Sequence, residues 1–185
     1  MTIILLEPGN PDLFGAADNW PSIPAAEGLA IGPCIELVSV HQGMKQQVTT
    51  DVGNAARTSG RPVVTEFTCV KYVDNLSVKL YESCLRAQPL GKGPTQPTRL
   101  HFCRDSGHGN GGGPAIFMTI ALRDALVSEI QLQTHPDDLP TEQFKLNFTE
   151  VLWTYAPRRT GGKAATAQSA GWSVTHNRPI GGFTE

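Results

Sequence analysis

The side chains in this sequence that could do chemistry are few and scattered. His101 and Cys103 stand two apart, with His108 shortly after them. On a strand, positions i and i+2 share a face, so the first two could begin a metal site, with Cys69 or His135 completing it. Zinc sites usually show close paired spacing, however, and Cys34, Cys69, Cys84 and Cys103 contain no C-x-x-C pair. Gly107, Gly109 and Gly112 match G-x-G-x-x-G, but Pro114 and a strand-like run follow where a dinucleotide site needs a helix N-terminus. A hairpin turn is the plainer reading. No G-K-S/T follows the glycines, and no G-x-S-x-G elbow occurs. His41, His101, His108, His135 and His176 have no nucleophile or acid beside them in the pattern of a hydrolase. Asn147-Phe148-Thr149 is a glycosylation sequon by chance, since it falls in a strand-like segment. These readings point away from an enzyme and imply no cofactor.

The elements that would position such residues are mostly strands. A short first strand around Ile3 to Leu6 leads into a segment, 8–33, with five prolines, which reads as an irregular arm. Strand-like residues follow over 35–40. Residues 42–61 are polar and small, and a loop of that length in one domain is usually a binding loop. Residues 63–73 read as one long strand rich in Val, Thr, Phe and Tyr. Asp74 and Ser77 are competent N-caps for a helix over 76–87, with Leu76, Leu80 and Cys84 on one stripe. Thr98 to Arg104 is a further strand, and 115–133 reads as a long bent one. Phe144, Leu146 and Phe148 are even-numbered, whereas Val151, Trp153 and Tyr155 are odd. That slip predicts a bulge or bend near Thr149. The sum is a mainly β, single domain: two packed antiparallel sheets forming a small barrel, with one flanking helix.

Composition narrows the partners. The 185 residues carry 15 basic and 17 acidic side chains, a net charge of -2, and only 17% of residues are charged. Near neutrality removes the electrostatic case for nucleic acid or an anionic membrane. No run approaches the roughly 20 apolar residues of a membrane-spanning helix. The Ile3 to Leu6 run lacks a basic lead and is cut by Glu7 and Pro8, so the expectation is synthesis in the cytoplasm without a cleaved signal. A surface so poor in charge suits contact with other copies.

Several segments together resemble one family. Phe67-Thr68-Cys69-Val70-Lys71-Tyr72-Val73-Asp74, with Ser77 and the helix through Leu80 and Cys84, resembles the strand, K-Y-x-D turn and helix of the hemolysin-coregulated protein (Hcp) family of type VI secretion. Leu146-Asn147-Phe148-Thr149-Glu150-Val151, then Trp153, Tyr155 and Pro157, is similar to its L-N-F-x-x-V strand and x-Y-x-P ending. Gly171-Trp172-Ser173 resembles its terminal G-W hairpin. Thr119 to Leu122 with Ala125 to Ser128 resembles its long I-T-L…L-V-S strand, and Ile35-Glu36-Leu37 with Gly43-Met44 its first barrel strand. The resemblance implies a structural subunit: homohexameric rings stacked into the inner tube, exported, with effectors in the lumen and sheath and spike as partners. It also implies that 42–61 reaches the next ring, through Met44, Gln46, Gln47, Thr49, Asp51, Asn54 and Arg57. The competing reading is a β-barrel small-ligand or metal-binding module using the His101, Cys103 and His108 face.

Overall fold

The computed structural model describes residues 2–16, 20–48, 60–104, 114–156 and 166–184. Period-two alternation of apolar residues sets nearly all of it. The strands are β1 (Thr2–Glu7), β2 (Ile35–Leu37), β3 (Ser39–His41), β4 (Met44–Lys45), β5 (Val63–Val64), β6 (Phe67–Tyr72) and β7 (Thr98–Arg104). They continue as β8 (Ala115–Arg123), β9 (Leu126–Gln133), β10 (Thr141–Asn147), β11 (Glu150–Tyr155), β12 (Gln168–Ser173) and β13 (Arg178–Ile180). One helix, α1 (Ser77–Leu85), lies between β6 and β7.

A seven-stranded sheet has the order β13-β12-β11-β8-β7-β1-β2, and a four-stranded sheet the order β3-β6-β10-β9. A separate ribbon pairs β4 with β5. The two sheets pack face to face, and the chain passes directly between them at three corners and a fourth time through α1, from β6 to β7. Val38 separates β2 from β3 and donates its N–H to Val70 O at 2.7 Å. Asp124, in the left-handed region at φ 50°, turns β8 into β9. Phe148 and Thr149 turn β10 into β11, at the place where the apolar parity changes. Barrel closure was expected, but the described sheets end in free edges at β9 and β13. Strand 63–73 is also two elements, because Thr65 and Glu66 break it and β5 leaves to join the ribbon.

The core between the sheets includes Leu6, Phe67, Cys69, Leu100, Leu122, Phe144, Leu146 and Val151, all essentially inaccessible. Leu76 and Leu80 bring α1 onto it, each contributing on the order of 2 kcal/mol by burial. A second, smaller core lies on the opposite face of the large sheet. There Ile3, Leu5, Cys34 and Cys103 are covered by Ile23, Leu29 and Ile31 of the Pro-rich arm. The arm is thus packed structure, with 3-10 turns at Pro11–Phe14 and Pro24–Ala26, and Phe14 reaches the main core.

Candidate functional site

His101 projects from β7 onto the arm-covered face and is nearly inaccessible. Its Nε2 lies 2.8 Å from Glu7 Oε2 and its Nδ1 3.2 Å from Thr119 Oγ1. A carboxylate, an imidazole and a hydroxyl in series are the parts of a nucleophilic relay. Their setting serves a different end. Thr119 is in the middle of β8 with strands paired on both sides, so the surrounding N–H groups belong to the ladder and none is left for an oxyanion. Glu7 spends its other oxygen on Gly32 N–H at 2.8 Å, which ties the arm to β1. The His101 hydrogen bond, working against burial, holds the Glu7 carboxyl below its ordinary range.

The rest of the proposed metal face does not assemble. Cys103 shares the face but sits in the small apolar core, and burial pushes its thiol up. Burial, with Glu7 nearby, pushes Cys34 up to about 12. Cys69 lies on the other side of the large sheet, in the main core, and burial likewise pushes it to about 12. His135 stands in the turn between β9 and β10, and His108 lies outside the described residues. Among the described residues no three metal-ligating side chains converge.

The strand-to-helix motif is built around a buried ion pair. Lys71 follows Phe67 and Cys69 on the inward parity of β6, and Glu142 opposes it on β10. Their exposures are 1% and 0%. Lys71 Nζ reaches Glu142 Oε1 at 2.8 Å, Asp74 Oδ1 at 2.9 Å, Ser77 Oγ at 3.0 Å and the Tyr72 carbonyl at 2.8 Å. Ser77 donates to Glu142 Oε1 at 2.8 Å, and Tyr81 donates to Oε2 at 2.5 Å. Burial and that bond to a carboxylate push the Tyr81 phenol up to about 12. Asp74 also accepts the Leu76 N–H at 2.9 Å. Ser77 therefore faces the buried pair rather than capping the helix, and α1 starts at Ser77 with Leu76 in the cap position. Glu142 was not foreseen, although it shares the even parity of the core residues Phe144 and Leu146.

The expected binding loop rises from the β4–β5 ribbon. Gln46 Nε2 donates to Gly60 O at 2.6 Å and Gly60 N–H to Gln47 O at 2.8 Å, so these two positions close the stem. Arg61 anchors it by donating to Val174 O at 3.0 Å. Met44 is 62% exposed. Met44, Val64 and Pro62 line a cleft of about 350 Å³ against Trp153 and Trp172. Thr49, Asp51, Asn54 and Arg57 lie outside the described residues.

Two surfaces lack partners among the described residues. β9 ends the small sheet with one ladder edge free, and Gln131, Leu132 and Gln133 on it are exposed. Beside it, Tyr81, Cys84, Leu85, Ile130 and Leu132 line an apolar cleft, in which Leu85 is 88% exposed. Free strand edges and apolar patches of this kind are where chains pair with one another.

Residues 33–155 match the profile of the family described as type VI secretion system effector, Hcp. The chain belongs to the Hcp family. Solved structures share its fold: a type six secretion system protein at 21% identity, covering 97% of this chain and 100% of that one, with a TM-score of 0.74. Hcp1 from Salmonella typhimurium is 18% identical over 97% of this chain and 99% of its own, with a TM-score of 0.66. Hcp1 from E. coli EAEC 042, a double mutant, is 19% identical over 91% and 95%, with a TM-score of 0.58. No curated protein sequence matches. As an Hcp protein the chain is a secretion-system tube protein and not an enzyme.

The Hcp motif residues have separable structural duties. Lys71 and Asp74 hold the helix start, as described. Tyr72 is half exposed and contributes its carbonyl. Phe67 and Phe148 meet at a tilt with ring centroids 5.5 Å apart, joining β6 to the β10–β11 corner, and Leu146 belongs to the same core. Trp153 and Trp172 close the end of the main core. Tyr155 meets Phe117 edge-on at 6.3 Å. Gly171 is compulsory: a Cβ there would stand 2.3 Å from Leu152 Cδ2 and 2.9 Å from the Ile180 carbonyl.

Proposed function

We propose that this Hcp chain is the repeating unit of a type VI inner tube, assembling as homohexameric rings that stack into a conduit. The subunit is made in the cytoplasm and leaves through the system without a cleaved signal, and effectors ride in the ring lumen. Sheath and spike proteins are its further partners, and it takes no cofactor, nucleic acid or membrane insertion. The observation that carries this reading, beyond family membership, is the free β9 edge next to the apolar cleft of α1. An edge of that length with few charges is what an obligate neighbour would cover. The loop 42–61, through Met44, Gln46, Gln47, Thr49, Asp51, Asn54 and Arg57, reaches toward the adjacent ring.

Light scattering of the purified protein, with negative-stain microscopy, tests the assembly. A six-copy mass and annular particles are expected, and a monomer at high concentration would overturn the reading. Deleting 49–59 should leave ring mass unchanged and abolish stacking into tubes. Co-purification of a small effector with rings tests the lumen.

A further inference from the structure

Segment 181–184 follows β13 and returns over the outer face of the large sheet, where one residue is held by every polar group it has. Thr184 donates its N–H to Glu150 Oε2 at 3.0 Å and its hydroxyl to Glu150 Oε1 at 2.7 Å. The same hydroxyl accepts from Arg123 Nη1 at 2.6 Å, and the Thr184 carbonyl accepts from that nitrogen too. Arg123 Nη1 stands 3.2 Å from Glu150 Oε2, an ion pair across the β8–β11 rung. Glu150 is 2% exposed, and Arg123 Nε is buried without a hydrogen bond, Asp124 Oδ2 standing 3.4 Å off.

The clamp is selective by construction. A bidentate carboxylate takes an N–H and an O–H from one residue, while the guanidinium takes its carbonyl and hydroxyl oxygens. Only a β-hydroxy residue in a backbone running along the sheet surface satisfies all four. The occupant is loosely tethered. Gly181 and Gly182 separate it from β13, and a Cβ at either would meet no atom within 4 Å. Among the described residues, the hydrogen bonds given for Thr184 are all to Arg123 and Glu150.

We propose that Arg123 and Glu150 form a binding site for a threonine-bearing peptide segment, filled in the free chain by its own Thr184 and able to take Thr184 of a second copy. The contacts are identical in the two arrangements, so exchange between copies costs little beyond bringing them together. Where copies are held side by side, the effective concentration of the segment favours exchange. The proposal does not depend on ring formation.

The test uses the full chain carrying Thr184→Ala, whose own segment keeps only the backbone half of the clamp and is easily displaced, and a fluorescent peptide of residues 178–185. Anisotropy should show saturable binding to T184A. Affinity should fall about tenfold or more when the peptide's threonine is alanine, the size expected for two lost charge-assisted hydrogen bonds. The unsubstituted chain should bind the peptide more weakly than T184A, because its own segment competes. Thr184→Ser, which keeps the hydroxyl, should resemble the unsubstituted chain. Adding Glu150→Gln to T184A should abolish binding, with circular dichroism reporting that both fold. No saturable binding to a folded T184A, or binding indifferent to the peptide's threonine, would overturn the proposal.

Discussion

Two lysine–glutamate pairs span neighbouring strands of the small sheet, and they lie on opposite faces. Lys71–Glu142 joins β6 to β10 at 2.8 Å with exposures of 1% and 0%, whereas Lys145–Glu129 joins β10 to β9 at 2.5 Å with exposures of 36% and 38%. Distance alone would rank the outer pair higher. Surroundings reverse the ranking. The outer carboxylate is drawn down by its hydrogen bond to Lys145, and the Lys145 amine is raised by the same bond, but water and salt screen both. The inner pair has no water to fall back on, so its remaining lone pairs and protons are taken up by Ser77, Asp74, Tyr81 and the Tyr72 carbonyl. The lesson is that a buried pair positions structure while costing dearly if halved. Here it fixes where α1 meets the sheet.

Removing half of the inner pair should have the largest effect. Glu142→Ala should destabilise by about 3–5 kcal/mol in urea unfolding, because it strands a buried ammonium. A loss under about 1 kcal/mol would remove the distinction between the faces. Replacing both partners, Lys71→Met with Glu142→Leu, should recover most of that loss, to within about 2 kcal/mol of the parent. Were the double variant as unstable as the single one, the pair would be a net source of stability and not only of position.

An intermediate case is Glu7, largely covered and paired with His101. Its folded value lies below 4.5, so its favourable contribution is complete above that pH and is lost as pH falls through the folded value. Glu7→Gln should therefore lower stability at neutral pH, and the two proteins should converge in acid. A constant difference across pH 3 to 7, roughly, would detach the effect from ionisation. The smallest effect belongs to the outer pair. Lys145→Gln should leave the urea midpoint within experimental scatter once salt is raised to about 1 M, where the Debye length is near 3 Å.

Much of the architecture was legible from alternation. Thr98–Arg104 falls where its pattern puts it, and the parity change at Thr149 marks a true corner. The motif order also led to the Hcp family, which the profile over 33–155 supports. What escaped depends on partners distant in the chain. Glu142 is 71 residues from Lys71, and Glu7 is 94 from His101, so no local pattern announces either pair. Inward parity of a charged residue was the one available sign for the first. The arm was legible as irregular from its prolines and glycines, but its packing was not. Ile23, Leu29 and Ile31 form a lid with no period of their own. Of the anticipated inter-ring positions, Gln46 and Gln47 also brace the stem, through a partner more than ten residues away.

The three corners at Val38, Asp124 and Phe148–Thr149 have a mechanical meaning. Because the chain passes from one sheet into the other at these corners and a fourth time through α1, neither sheet can peel away as a separate layer. Heat should dissolve both in one transition, and tension applied along any of these strands is shared across the two layers. The molecule should resist like a stitched laminate, with the two-stranded ribbon and the segment at 181–184 outside its stitching.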